Sequence, residues 1–231
     1  MRDHGGASTT SALWLRHWPR RPRAAVITLH GGRPDSYQTS QHWHLAALRM
    51  RPVLRAAASA VSLGEVVLAH VRYRHRGWND GDPLNDAYRA LSELGQLAGP
   101  VPTVLIGHSM GGRAALRAAS HPQVRGVLAL APWLPPDEPV VQLSGKQTVV
   151  VHGECDRTTS PRASADYIKR ARAAQARAGL ILIRNGDHAM LRRPGLWHRT
   201  VTAVVTDLLG PHEQCAGLAD SSYASASPLM L

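Results

Sequence analysis

The sequence predicts an α/β fold: a mostly parallel sheet of about six or seven strands with helices on both faces. Three observations predict it. Short runs rich in Val, Ile and Leu alternate with stretches of helical composition from Ala24 to Leu209. Most of these runs are continuously apolar, the pattern of strands buried on both faces of a parallel sheet. Several of them end in a Gly-, Asn- or Asp-containing loop, and in such sheets ligands bind beyond the carboxyl ends of the strands. With 231 residues, 44% of them hydrophobic, the chain can bury a core without a disulfide or metal staple. A single domain is expected over 11–210, after a flexible polar segment, 1–10. A Ser/Ala/Gly-rich tail, 211–231, is expected to be disordered.

The elements follow in order. Ala12–Trp18 alternates roughly with period two and reads as a strand. Ala24–His30 (AAVITLH) is a buried strand running into Gly31 and Gly32. Ser40–Val61 is helical in composition, with Pro52 expected to break or kink it or to start a second helix. Glu65–Tyr73 (EVVLAHVRY) is the next strand, and Arg74–Pro83 a polar loop. Asp82 is a candidate N-cap with Pro83 at the first helical position. Leu84, Ala87, Tyr88, Leu91, Leu94 and Leu97 then form an apolar stripe. Val101–Gly107 is a strand, Ser109–Ser120 a helix, and Val124–Leu130 and Thr148–His152 lie in strands. Ser160 and Pro161 open a helix expected to run through Ala178. Leu180–Arg184 is a strand and Leu196–Leu209 the last helix.

Charge points first to anionic partners: the net charge is +11, and every basic residue except Lys146 and Lys169 is an arginine. The arginines are scattered, and the densest groups (Arg20, Arg21 and Arg23; Arg72, Arg74 and Arg76; Arg184, Arg192 and Arg193) form no nucleic-acid module. The charge therefore reads as compositional bias or substrate steering, and no specific nucleic acid is expected. No stretch approaches the roughly 18 consecutive apolar residues of a membrane helix, and the N-terminus lacks the apolar run of a signal peptide. Cys155 and Cys215 read as free thiols, Cys155 as a small buried residue. A soluble cytoplasmic protein is the expectation.

The chemistry lies in the strand-end loops. Gly107-His108-Ser109-Met110-Gly111 is a G-x-S-x-G turn between a strand and a helix. Its glycines permit a tight turn that lifts the serine Oγ clear, with a helix N-terminus beneath it. A nucleophilic serine needs a base, and the base an orienting acid. Asp156, in His152-Gly153-Glu154-Cys155-Asp156, and His188, in Asn185-Gly186-Asp187-His188, occupy two later loops. Glu154 is the reserve acid, and Asp137 and Asp187 also compete. Asp187 adjoins His188 and would struggle to reach its Nδ1. His30 and His108 flank Gly turns and suit a backbone-fixing role, while His152 should support the acid's loop. An oxyanion hole needs two N–H groups. Met110 would supply one and Gly32 the other, with Arg33 next; Pro34 has no N–H. Gly31, Arg33, Tyr37, Trp78, His108 and Trp133 are candidate pocket residues, with ordinary loop packing as the alternative for the aromatics.

LHGGRPDS, GHSMGGRAAL, LALAPWL, VVVHGECDRTTSP and NGDHAML, taken in this order, resemble the α/β-hydrolase superfamily over about Trp14 to Leu209. The resemblance implies a serine hydrolase with an acyl-enzyme mechanism and no cofactor, similar to esterases, lysophospholipase-like and dienelactone-hydrolase-like proteins. It implies the roles of nucleophile for Ser109, acid for Asp156 and base for His188. Only Ala131–Gly145 is available where many relatives insert a cap, so a lidless, open site is expected. The expected substrate is a small carboxylic ester. A thioesterase, amidase or acyltransferase on the same triad, and a non-catalytic binding protein of this fold, are the alternatives.

Overall fold

The computed structural model describes residues 11–210 and 217–231. The chain runs through β1 (Leu13–His17), β2 (Ala24–Leu29), α1 (Leu45–Ala58), β3 (Val66–Val71), α2 (Asp82–Ala98), β4 (Thr103–His108) and α3 (Met110–Arg117). It continues through β5 (Val124–Leu130), β6 (Gln147–Gly153), α4 (Pro161–Ala173), β7 (Arg177–Ile183), α5 (Pro194–Leu209), α6 (Leu218–Ala224) and β8 (Leu229–Met230). The strands form one sheet in the order β1-β3-β2-β4-β5-β6-β7-β8. Only β1 is antiparallel to its neighbour.

Alternate residues of the buried strands feed two cores. Ile27, Leu105 and Val127 pack with Leu91 of α2, Leu116 of α3 and Tyr167 of α4. Val26, Ile106 and Leu128 pack with Met50 of α1 and Trp197 of α5. This two-sided covering makes the strands apolar throughout.

Four expectations are corrected. Pro52 neither breaks α1 nor starts a second helix; it lies inside a single helix. Met50, Val53, Leu54 and Ala57 are buried around it, and that packing outweighs the one helical hydrogen bond a proline removes. Asp82 is not the cap of α2. Gly81, at φ 117°, holds that position, and the Asp82 carboxylate accepts from His75 Nδ1 at 2.8 Å. The helix opened by Ser160 ends at Ala173 because Gln175 turns at φ 61° and Arg177 already pairs with Gln147 of β6.

The largest correction concerns the C-terminal segment expected to be disordered. Residues 217–231 form α6 and β8, the eighth strand. Arg172 donates from Nη1 to the Ser225 carbonyl and from Nη2 to the Ser222 carbonyl, each at 2.7 Å. Leu231 N donates to Leu182 O, and Arg184 N to Leu231 O. A Cβ on Gly179 would collide with Ser222, so the bare backbone of β7 is the seat of α6. The expectations for 1–10, 211–216 and Cys215 lie outside the described residues.

Between β5 and β6 there is a short link and no cap. Glu138 in this link is buried and receives Arg113 Nε at 2.6 Å and the Nε of Arg117. The link is thereby tied to α3, directly behind the turn that carries Ser109.

Candidate active site

Ser109 sits between β4 and α3 with φ 54° and ψ −117°. A non-glycine residue adopts such a backbone only when its surroundings impose it. Here a Cβ on Gly107 would strike Gly111 O, and a Cβ on Gly111 would strike the carbonyls of Leu29 and His30. The glycines therefore allow α3 to close onto β4 and β2. Ser109 N donates to Leu130 O at 3.0 Å, and Trp133 N to Ser109 O at 3.1 Å. The turn is held from both sides, and Ser109 points from the N-terminus of α3.

The loops after β6 and β7 meet. A Cβ on Gly153 would overlap Gly186, and Cys155 N donates to Gly186 O at 2.9 Å. This contact brings Asp156 to His188: Nδ1 of His188 lies 2.8 Å from Oδ2 of Asp156. Oδ2 also accepts from His152 Nε2 at 3.1 Å and from the Thr159 hydroxyl at 2.9 Å. Oδ1 accepts from the N–H groups of Thr158 and Thr159 at 2.7 and 2.9 Å. Burial raises the Asp156 pKa, but the hydrogen bonds from His152, His188, Thr159 and Thr158 outweigh it and hold the carboxyl well below the usual range. Asp156 is therefore an anion whose lone pairs are largely committed.

The competing acids are placed elsewhere. Glu154 is exposed and accepts from Asn185 N at 3.1 Å, Asp187 Oδ1 accepts from Leu191 N and Arg192 N, and Asp137 is exposed. Cys155, expected to be buried, is exposed, because its own backbone, rather than its side chain, ties the two loops.

His108 is buried and its Nε2 donates to His188 O at 2.9 Å. A carbonyl only accepts, so the proton is on Nε2, and Nδ1 is a buried atom without a hydrogen-bond partner. Burial and the neighbouring His188 push its pKa down to about 3. His30 donates from Nδ1 to Gly31 O at 2.7 Å. Both histidines fix backbone beside Ser109. His152, 2.8 Å from Ser164 Oγ, buttresses Asp156. Thr159, whose hydroxyl also lies 3.1 Å from His188 Nδ1, carries no motif in the sequence. Its only signal there is a hydroxyl residue three positions after the acid.

Of the two candidates beside Met110 for an N–H facing Ser109, Arg33 is engaged: its N–H donates to Arg76 O at 2.9 Å. Gly32 has no backbone acceptor among the described residues, and a Cβ on it would collide with Arg76 O and the Met110 side chain. Gly31 is buried, and a Cβ there would lie 3.3 Å from the Ser109 Cβ and from His108 Nδ1.

The aromatic candidates do not gather into one pocket. Trp78 and Trp133 pack edge to face at 6.2 Å, with the Arg113 guanidinium 4.0 and 4.8 Å from their rings. Trp78 belongs to the core, and this cluster supports the elbow from behind. Tyr37 is 69% exposed and rests on His75. The space beside the Gly31–Arg33 loop is instead a cavity of about 410 Å³ that also reaches Ser40, His44 and Arg76.

A family model described as the alpha/beta hydrolase family matches residues 26–147. The chain belongs to this family. The matched part of the hydrolase carries the Ser109 elbow and the Gly31–Arg33 loop, and Asp156 and His188 follow it. Among solved structures the hydrolase is similar to Est1E from Butyrivibrio proteoclasticus, at 14% identity over 85% of this chain and 93% of that one, TM-score 0.63. It is also similar to XC6422 from Xanthomonas campestris, a serine hydrolase without a lid, at 20% identity over 86% and 88%, TM-score 0.60. The butyrate-bound esterase Est2 from Thermogutta terrifontis aligns at 16% identity over 85% and 87%, TM-score 0.63. At these identities the likeness is one of fold. No curated protein matches the chain. Among the described residues no helix is long and apolar enough to cross a membrane.

Proposed function

We propose that this α/β hydrolase is a serine esterase, cleaving small carboxylic esters through an acyl-enzyme. The observation that carries the reading is the 2.8 Å pair of Asp156 and His188, with the His188 backbone tied to His108, the residue before the strained Ser109. In this reading Ser109 Oγ attacks the ester carbonyl carbon while His188 Nε2 takes its proton. Asp156 holds the other proton on Nδ1 and stabilises the imidazolium. The Met110 and Gly32 N–H groups receive the oxyanion. The tetrahedral intermediate collapses, the C–O bond to the alcohol breaks, and His188 returns the proton to the departing oxygen. A water molecule, deprotonated by His188, then attacks the acyl carbon and frees Ser109.

The short link between β5 and β6 supports an open site that needs no interfacial activation. Likeness in fold to esterases such as Est2 favours an ester over a thioester or amide. The test is hydrolysis of p-nitrophenyl butyrate by the wild type and by Ser109→Ala, together with labelling by a fluorophosphonate. Loss of both turnover and label in the variant is expected. Equal rates in the two proteins, or a label on another residue, would overturn the reading.

A further inference from the structure

The cavity of about 410 Å³ lies against the loop after β2, and its volume suits a small ligand group. Gly32, whose N–H the esterase reading assigns to the oxyanion, is part of its wall. So is Gly31, which stands beside Ser109: a Cβ on Gly31 would lie 3.3 Å from the Ser109 Cβ. The loop after β3 adds Arg76, and the entry to α1 adds Trp43 and Leu45.

This wall combines two chemistries. Trp43 and Leu45 are exposed apolar side chains, a surface that methylene groups can cover. Arg33 and Arg76 supply fixed positive charge. Neither forms an ion pair among the described residues, and no Asp or Glu lines the cavity. Arg76 Nη1 donates to Gln38 Oε1 at 3.1 Å, a neutral acceptor that leaves the charge uncompensated. His30, also in the wall, is held neutral because burial lowers its pKa to about 4. The backbone under both arginines is anchored: Arg33 N donates to Arg76 O, Arg76 N to Gln38 O and Trp78 N to Arg33 O, each at 2.9 Å. Guanidinium groups without a carboxylate of their own, on fixed backbone beside the nucleophile, suit recognition of a carboxylate.

The topology assigns the side of the substrate. In the esterase reading the departing alcohol oxygen must face His188, on the loop after β7, while the cavity lies at the loops after β2 and β3, toward the other end of the sheet. The group left for the cavity is the acyl chain. We propose that it takes an acyl chain ending in a carboxylate, with its methylenes against Trp43 and Leu45 and its anion on the Arg33 and Arg76 guanidinium groups. The substrates are then half-esters of dicarboxylic acids, which water cleaves to the dicarboxylate, the alcohol and a proton. The proposal rests on the esterase reading for the bond cleaved, while recognition of the anion stands on the cavity itself.

The test compares monomethyl adipate with methyl heptanoate and methyl 6-aminohexanoate, which are similar in length and differ in charge. In the wild type, kcat/KM for the anionic ester should exceed that for the neutral one about tenfold, as two partly exposed ion pairs allow. The cationic ester should be slowest. The preference should shrink between about 0.01 and 1 M salt, where the screening length falls from about 30 to 3 Å. Arg33→Gln combined with Arg76→Gln should bring the anionic-to-neutral ratio to about one. Arg20→Gln removes a charge before the start of β2, at the opposite end of the strand, and should leave the ratio standing. Equal rates across the series, a preference for the neutral or cationic ester, or a ratio that Arg20→Gln lowers as much as the double substitution would overturn the proposal. Calorimetric titration of the full-length Ser109→Ala protein with monomethyl adipate separates this from the esterase reading. Binding that the double substitution weakens about tenfold supports the cavity even if no ester is cleaved. Absence of binding overturns it even if esters are cleaved.

Discussion

Oδ2 of Asp156 lies 2.8 Å from His188 Nδ1 and 3.1 Å from His152 Nε2, so a single carboxylate oxygen serves two histidines, one at the end of β6 and one in the loop after β7. The two are unlike. His152 is fully buried and closed off by Ser164, whereas His188 remains partly open. One histidine buttresses the anion, and the other is the base of the proposed reaction.

This arrangement separates the candidate acids. Asp156→Asn should lower kcat on p-nitrophenyl butyrate by about 10³–10⁴, as loss of the orienting anion does in other triads. Glu154→Gln, at an exposed carboxylate bonded to Asn185 N, should change it less than threefold. Steady-state kinetics of the two variants decide the assignment, and a reversed ranking would move the acid role to Glu154.

Gly32 should tolerate no side chain. Its Cβ would meet the Arg76 carbonyl, which is backbone and is held by Arg33 N, as well as the Met110 side chain. Gly32→Ala should displace the N–H assigned to the oxyanion. A fall in kcat/KM of about 10²–10³ is expected, with a lowered Tm because the Arg76 backbone and Met110 must give way. Retained activity would relocate the donor.

Acid should weaken the fold in two stages. Burial keeps His30 and His70 at about 4 and His108 at about 3, while the unfolded chain takes up these protons near pH 6.5. Between those values the unfolded state binds more protons. Stability is therefore present in full above about pH 6.5 and is lost as pH falls toward 4, at up to about 1.4 kcal/mol per pH unit for each histidine. Asp156, depressed instead of neutral, adds its loss only below the usual carboxylate range. Urea midpoints from pH 8 to 4 should fall below pH 6.5, with a shallower slope in His70→Gln. A flat profile would contradict the buried neutral state.

Glu138 should be the most costly acidic residue to remove from the β5–β6 link. Its truncation to Ala leaves Arg113 and Arg117 without their shared buried partner, a loss typically worth about 3–5 kcal/mol. For a chain of this length that corresponds to a drop in Tm of roughly 10 °C. Calorimetry of Glu138→Ala measures it, and a shift within a degree or two would show the pair to be dispensable.

Ending the chain at Gly210 should also destabilise it, since Arg172 would lose its carbonyl acceptors at Ser222 and Ser225 and β7 would become an open edge. A lower urea midpoint and concentration-dependent association are expected on comparing the two lengths. Identical behaviour would mean that α6 and β8 add nothing to stability.

The sequence by itself determined the layered architecture and the order of the site loops. Buried parallel strands have to be apolar on both faces, and a tight strand-to-helix turn has to carry glycines at 107 and 111, so both leave direct marks in the chain. Tertiary structure decided what depends on partners distant in sequence. Ser222 and the bare backbone of Gly179 turned a polar-looking tail into an eighth strand and its helix, and packing around Met50 and Leu54 carried α1 through Pro52. Arg113 slid between Trp78 and Trp133 and made them support for the elbow, while Arg76 of the loop after β3 came to stand beside Arg33. Composition reports how polar a residue is, but whether its hydrogen bonds and rings find partners is set by neighbours tens of residues away.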